Sequence, residues 1–353
     1  MSSRARGFAA AGAVSAAAFV TACAAGGEQQ SILDPAGSHA EAIHGLWSWM
    51  LGIGAAVWVI VVVAMVVALA RRRGDEGDPT APDAPHREAG VHGRPVRIVA
   101  VAGALVPAVI IAVVLAMSTL VQRQIADADV ADSPMIEVVG HQYWWEVNYP
   151  ERGVVTANEI HIPAGERVRL DVSSQDVIHS FWVPELGGKI DMLPGASNSI
   201  WLEASEPGVY WGQCAEYCGE QHALMRIVVV AHEPDEFEGW VEAQLRTPPS
   251  IVEGEESPGD ELIARGREVF LSSSCVYCHA VAGSAALGEV GPDLTHLASR
   301  QTLAAGTLPN DRANLSAWLL DPQAIKPGNL MPGTEFDDPA DLDALLAYLQ
   351  SLE

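Results

Sequence analysis

Two uninterrupted apolar stretches dominate the first third of the chain. Residues 46–70 and 98–121 contain no Asp, Glu, Lys or Arg and are rich in Val, Ala, Ile and Leu. Each is long enough to cross a hydrocarbon core as a helix. Pro107 lies inside the second; in a bilayer, neighbouring helices satisfy the carbonyl it frees, so a kink and not a break is expected. Arg71, Arg72 and Arg73 follow the first stretch, and Arg94 and Arg97 precede the second. The polar loop at about 71–97 is therefore expected on the cytoplasmic side, within a hairpin spanning 40–122 and with both ends outside.

After residue 133 the period changes. IEVVGHQYWWEVNY, EIHIPAG, RVRLDVSS, HSFWVPEL, SIWLEAS, GVYWGQC and LMRIVVVA are short runs rich in Val, Ile, Tyr and Trp, broken by Pro, Gly and Asn. They predict an all-β antiparallel sandwich or barrel over 134–245. The stretch 246–257, within RTPPSIVEGEESPGD, has the Pro, Gly, Ser and Glu content of a linker. From 258 to 353 the spacing becomes helical: DELIARGREVFLSSS carries apolar residues on one face, and DPADLDALLAYLQSLE places Leu342, Leu345, Leu346 and Leu349 together. Asp338 and Pro339 make a suitable helix start.

At the N-terminus, Arg4 and Arg6 precede a small-residue apolar run from Gly7 to Val20, which ends at Thr21, Ala22 and Cys23. This reads as a secretory signal over 1–23 with a bacterial lipoprotein-type processing box, Cys23 being the lipidated residue. The chain has 45 acids against 20 bases, and much of the arginine sits in the membrane loop. The outer region is thus acidic, which argues against nucleic acid as a partner and suits a basic electron donor.

Within QCAEYCGEQHALM the spacing is Cys-x3-Cys-x3-His-x2-Met, formed by Cys214, Cys218, His222 and Met225. An oxidising compartment leaves a disulfide open for the two cysteines. Zinc would take Cys and His but has no use for the thioether. Copper electron-transfer sites combine thiolate, imidazole and a weak axial methionine. Mononuclear sites of that kind use one cysteine, so the second suggests thiolates bridging two copper ions, each with its own imidazole. His179, on a neighbouring predicted strand, is the best second imidazole.

These segments carry a family resemblance. DVIHSFWVP, KIDMLPG and GQCAEYCGEQHALM, with two preceding membrane spans and the GHQYWW strand, resemble subunit II of haem-copper cytochrome c oxidases over about residues 40–232. The resemblance implies a cupredoxin-like sandwich holding the dinuclear CuA centre: His179 and His222 as imidazoles, Cys214 and Cys218 as bridging thiolates, Met225 as one axial ligand and the Glu216 carbonyl as the other. It implies a magnesium ion at the subunit I contact through the Glu216 carboxylate, near Lys189 and Asp191, where a structural salt bridge accounts equally well for that pair. It further implies electron-accepting aromatics at Tyr143, Trp144 and Trp145, although Tyr143 stands where the family usually has Trp. Ala100 stands where the family often has a glutamate at the mouth of a proton path.

CVYCH, residues 275–279, is the attachment signal for c-type haem: the Cys275 and Cys278 thiols add to the vinyl groups and His279 ligates the iron. Helices before it and at the C-terminus resemble an all-α class I cytochrome c fold, with Gly266 and Phe270 crossing Leu345 and Tyr348. Met331 is the one methionine after Met225 and the expected distal ligand; His296 is the competitor. The expected whole is a multidomain membrane protein of two transmembrane helices, a sandwich and a cytochrome domain. It reads as the electron-relaying subunit of a proton-translocating, caa3-type oxidase in an aerobic respiratory chain, partnered by subunit I, further oxidase subunits and a donor such as a cytochrome bc complex or cytochrome c. A nitric oxide reductase subunit is the alternative, and a lipid-anchored copper carrier or sensor a remote one that would need no haem.

Overall fold

The computed structural model of the chain describes residues 30–74, 94–126, 133–248, 250 and 260–353. The expected signal segment with Cys23, most of the cytoplasmic loop and much of the linker lie outside them. The two apolar stretches form helices α1 (Ser38–Gly74) and α2 (Arg94–Ala126), the second continuous through Pro107. Their apolar side chains point outward along most of their length, as a lipid-facing pair requires. The outer ends are tied to the sandwich. His39 stacks on Trp201 at 4.9 Å, Ser38 Oγ donates to Glu203 Oε2 at 2.7 Å, and Trp201 Nε1 donates to the Ile125 carbonyl at 2.8 Å. One tryptophan thus fixes the soluble part against both spans.

The sandwich has ten strands in two five-stranded sheets. Strands β1 (Met135–His141), β2 (Trp144–Tyr149), β3 (Val154–Ala157), β5 (Val168–Ser174) and β8 (Asn198–Leu202) form one sheet, in the order β3-β2-β1-β5-β8. Strands β4 (Glu159–Pro163), β6 (His179–Trp182), β7 (Ile190–Met192), β9 (Gly208–Cys214) and β10 (Arg226–His232) form the other, in the order β4-β10-β9-β6-β7. The sequence pattern missed three features. The first predicted run folds back on itself at Gln142 and Tyr143 into β1 and β2, and the short β3 and β7 carry too few residues for a visible period. The sheets are also mixed, because β1 runs parallel to β5 and β10 parallel to β4. Inward positions of the alternating strands, including Ile136, Val138, Leu170 and Val172, fill the core with Trp145 and Phe181, whose rings meet edge-on at 6.1 Å. Truncating Phe181 to Ala would cost about 3–5 kcal/mol.

Helix α3 (Pro234–Gln244), which the strand pattern did not foretell, covers β4 and β10 through Phe237 and Val241. The C-terminal unit begins with α4 (Asp260–Ser272), followed by a two-stranded hairpin of β11 (Thr302–Leu303) and β12 (Leu308–Pro309). It ends with α5 (Arg312–Leu320), the short α6 (Pro322–Ile325) and α7 (Pro339–Gln350). Asp338 caps α7 by accepting from Ala340 N at 2.9 Å. Helices α4 and α7 cross where Gly266 lies on the Ala344 carbonyl: a Cβ there would stand 2.0 Å from that oxygen. Phe270 meets Tyr348 at 5.7 Å just beyond, so the crossing is the expected one with Ala344 as an added contact.

Candidate functional site

The loop joining β9 to β10 gathers the sulfur ligands. Cys214 closes β9 and lies opposite the β6 strand, whose Phe181 pairs with it in register. His179, at the start of β6, is thereby brought beside the loop: its Nδ1 lies 3.8 Å from Cys214 Sγ. Cys218 Sγ lies 3.8 Å from His222 Nδ1 and 3.9 Å from Met225 Sδ. The Glu216 carbonyl oxygen is 3.1 Å from Cys214 Sγ. All residues named from the sequence as copper ligands therefore converge, and the ligand atoms of His179, Cys214 and Cys218 lie within 4.8 Å of one another. Both cysteines are buried and free.

Backbone pairing makes the loop stiff. Cys214 N donates to the Met225 carbonyl at 2.9 Å, and Ala215 N donates to the Ser180 carbonyl at 2.8 Å. Gln142 Nε2 reaches over from the β1–β2 turn to the Cys218 carbonyl. The Cys218 thiol hydrogen-bonds Cys214, which holds Cys214 well below the usual thiol range, and the same bond to Cys214 keeps the proton on Cys218 and raises its pKa. A metal pair that takes both sulfurs as thiolates displaces that proton. The soft, buried donor set with spare imidazole nitrogens and a thioether fits copper.

The pattern did not disclose the residues that orient these ligands. Asp176 Oδ1 lies 2.8 Å from His179 Nε2, leaving Nδ1 turned to the sulfurs. Its position three residues before the histidine was the available signal, since metal-bound histidines usually carry such a carboxylate partner. Glu216 points its carboxylate outward to Lys189 at 3.9 Å, and Lys189 pairs with Asp191 at 3.0 Å. The salt-bridge account of that pair is thus realised, with Glu216 at its margin.

The second site is a cavity of about 290 Å³ lined mostly by the C-terminal unit and closed on one side by the sandwich. Cys275, Cys278, His279 and Met331 all line it, together with Phe270, Trp318 and Leu319. Ser273 caps the turn that presents the cysteines by accepting from Cys275 N. His279 Nδ1 donates to the Pro292 carbonyl at 2.7 Å, which leaves Nε2 for the cavity that His279 lines, and burial lowers its pKa. His296 is buried but does not line the cavity, which disfavours it as distal ligand. Tyr143 and Trp144 of the sandwich line this cavity too, whereas Trp145 is fully buried near His179, with ring centroids 6.2 Å apart.

Comparison with known proteins identifies the domain types that carry these two clusters. Residues 151–232 match the family described as cytochrome C oxidase subunit II, periplasmic domain, and residues 263–353 match cytochrome c. Cytochrome c oxidase subunit 2 of Alkalihalophilus pseudofirmus is 40% identical over 341 residues, covering 95% of this chain and 94% of that protein. The Bacillus subtilis subunit 2 is 35% identical over 232 residues, 63% of each chain. The solved periplasmic domain of subunit II of cytochrome oxidase from Bradyrhizobium japonicum is 34% identical, with a TM-score of 0.31, over 31% of this chain and 91% of that one. The near full-length match to an oxidase subunit, with both domain types in one chain, means that this protein belongs to the cytochrome c oxidase subunit II family, in the branch that carries a fused cytochrome c domain.

Proposed function

We propose that the chain accepts electrons at its cytochrome unit and passes them through a copper pair held by His179, Cys214, Cys218, His222 and Met225, with the Glu216 carbonyl as a further ligand. The observation that carries this reading is the convergence of those ligands from one strand and one stiff loop, beside a cavity lined by Cys275, Cys278, His279 and Met331. As a subunit II, the protein is part of a haem-copper oxidase complex with subunit I, where oxygen is reduced. The copper pair and haem c implied by the two matched domains supply one-electron exchange when bound.

The residues of the chain set the conditions for that exchange. Asp176 and the Pro292 carbonyl fix the ring orientations of His179 and His279. Tyr143 and Trp144 line the sandwich side of the haem cavity. A thioether opposite histidine raises the potential of a c-type haem, which favours onward transfer. The magnesium ion implied at the subunit I contact would be held through Glu216, beside Lys189. Both soluble domains and the N-terminus lie on the extracytoplasmic side of a bacterial membrane, with Cys23 as the lipid attachment point. The donor is a respiratory cytochrome or cytochrome bc complex with a basic face.

Replacing Met331 with Ala in the purified oxidase tests the relay. The haem stays attached through Cys275 and Cys278, its potential falls, the far-red band of sulfur-ligated ferric haem disappears, and turnover with a cytochrome donor drops by roughly tenfold or more. Unchanged band and potential would refute the ligand assignment.

A further inference from the structure

The contact between the cytochrome unit and the sandwich is built from buried charges. Glu159 on β4 is 1% exposed, and its Oε1 accepts from Gln301 N at 2.7 Å, Thr302 N at 2.9 Å and Thr302 Oγ1 at 3.3 Å, all on the cytochrome unit. In the opposite direction, Lys326 of the cytochrome unit is 2% exposed and its Nζ donates to the Tyr143 carbonyl of the sandwich at 3.1 Å. A second Lys326 hydrogen bond, also 3.1 Å, goes to the Ala304 carbonyl. A buried charge that loses its partner is strongly destabilising, so neither group suits a domain that docks only in passing.

The rest of the contact falls on the copper loop. The turn between β11 and β12 holds Ala304, Ala305 and Gly306 at φ of 54°, 56° and 71°, a conformation that costs free energy for alanine and persists where surrounding contacts enforce it. Here Arg226 N donates to the Ala305 carbonyl at 3.1 Å, and Thr307 Oγ1 lies 3.4 Å from the Leu224 carbonyl. Gly306 sits on Arg226 and Trp211, where a Cβ would come within 2.8 Å of Arg226 Cβ. Gln221 donates its amide to the Pro327 carbonyl. These contacts bracket His222 and Met225, and the same turn lines the haem cavity at Thr302, Leu303, Ala304 and Ala305.

We propose that the cytochrome unit is clamped on the copper loop in one register, with Glu159 and Lys326 as positioning residues for the internal electron transfer, and that the covalent linker does not set its rate. The inference rests on the relay reading above, but the two fail differently. Loss of either cofactor's spectrum speaks against the relay, whereas the clamp is read from how the transfer rate depends on linker length. A tethered donor works through an effective concentration that falls as about the −3/2 power of linker length, so a fourfold longer linker would slow transfer by roughly eightfold. A clamped donor is already docked and does not slow.

The test is transient absorption of haem-to-copper electron transfer in the purified oxidase, with Gly-Ser insertions in residues 251–257. The wild-type rate should stay within about twofold across insertions, while Glu159→Ala and Lys326→Ala each make it fall with linker length. Glu159→Gln, which keeps an acceptor oxygen, should restore much of the independence. A wild-type rate that declines with linker length overturns the clamp. So do rates in the two alanine variants that stay independent of length while both cofactor spectra are intact. Should an alanine variant fail to assemble, the wild-type insertion series decides by itself.

Discussion

The proposed copper ligands cluster in residues 214–225 with one imidazole taken from β6, whereas the proposed haem anchors lie at 275–279 and the proposed thioether, Met331, lies in a separate segment after α6. The loop depends on non-covalent geometry: paired strands on either side, and backbone bonds from Cys214 to Met225 and from Ala215 to Ser180. In the proposed reading the haem is held by two covalent attachments, at Cys275 and Cys278, and its axial ligands need only line the cavity. Displacement of one copper ligand should therefore remove the cofactor, while displacement of an axial haem ligand should retune it.

That contrast is sharpest for Cys218→Ser against Met331→Ala. The serine variant should lose copper and reduce turnover by more than about 100-fold, beyond what an outer partner contributes, with haem absorption unchanged. Metal analysis of the purified complex checks this; a full copper complement would place the bridging role elsewhere. A smaller effect is expected one step out. Asp176→Asn leaves every ligand in place but removes the carboxylate that orients His179, so copper affinity should fall by roughly 10–100-fold in competition with a chelator. An affinity equal to that of wild type would mean that the strand alone fixes the ring.

The sequence disclosed the clustered donor side chains better than their supports. Cys214, Cys218, His222 and Met225 share one short motif, and CVYCH is contiguous, so their chemistry could be read directly. His179 was recoverable because strand pairing could bring a distant histidine to the loop. Asp176 and Gln142 were not singled out, since an acid and an amide become supports only when the fold aims them. The same holds for Glu159 and Lys326, whose burial arises from contact between two units that periodicity treats separately. Strands β3 and β7 escaped for a local reason: at four and three residues they are too short to show alternation.

The smallest effect belongs to the half-exposed pair of Lys189 and Asp191. Their hydrogen bond raises the lysine pKa and lowers that of the carboxyl. An ion pair so exposed contributes about 0–1 kcal/mol. Lys189→Ala should leave the denaturation midpoint of the soluble region nearly unchanged, and a larger loss on assembly with subunit I would locate the pair's role at that contact.

Electron paramagnetic resonance of the purified, air-oxidised protein with quantitative metal analysis tests the account most directly. Bridging by Cys214 and Cys218 predicts a pair of coppers for each haem iron, with a single unpaired electron shared between both copper nuclei. An isolated Cu(II) signal at full metal loading would contradict it.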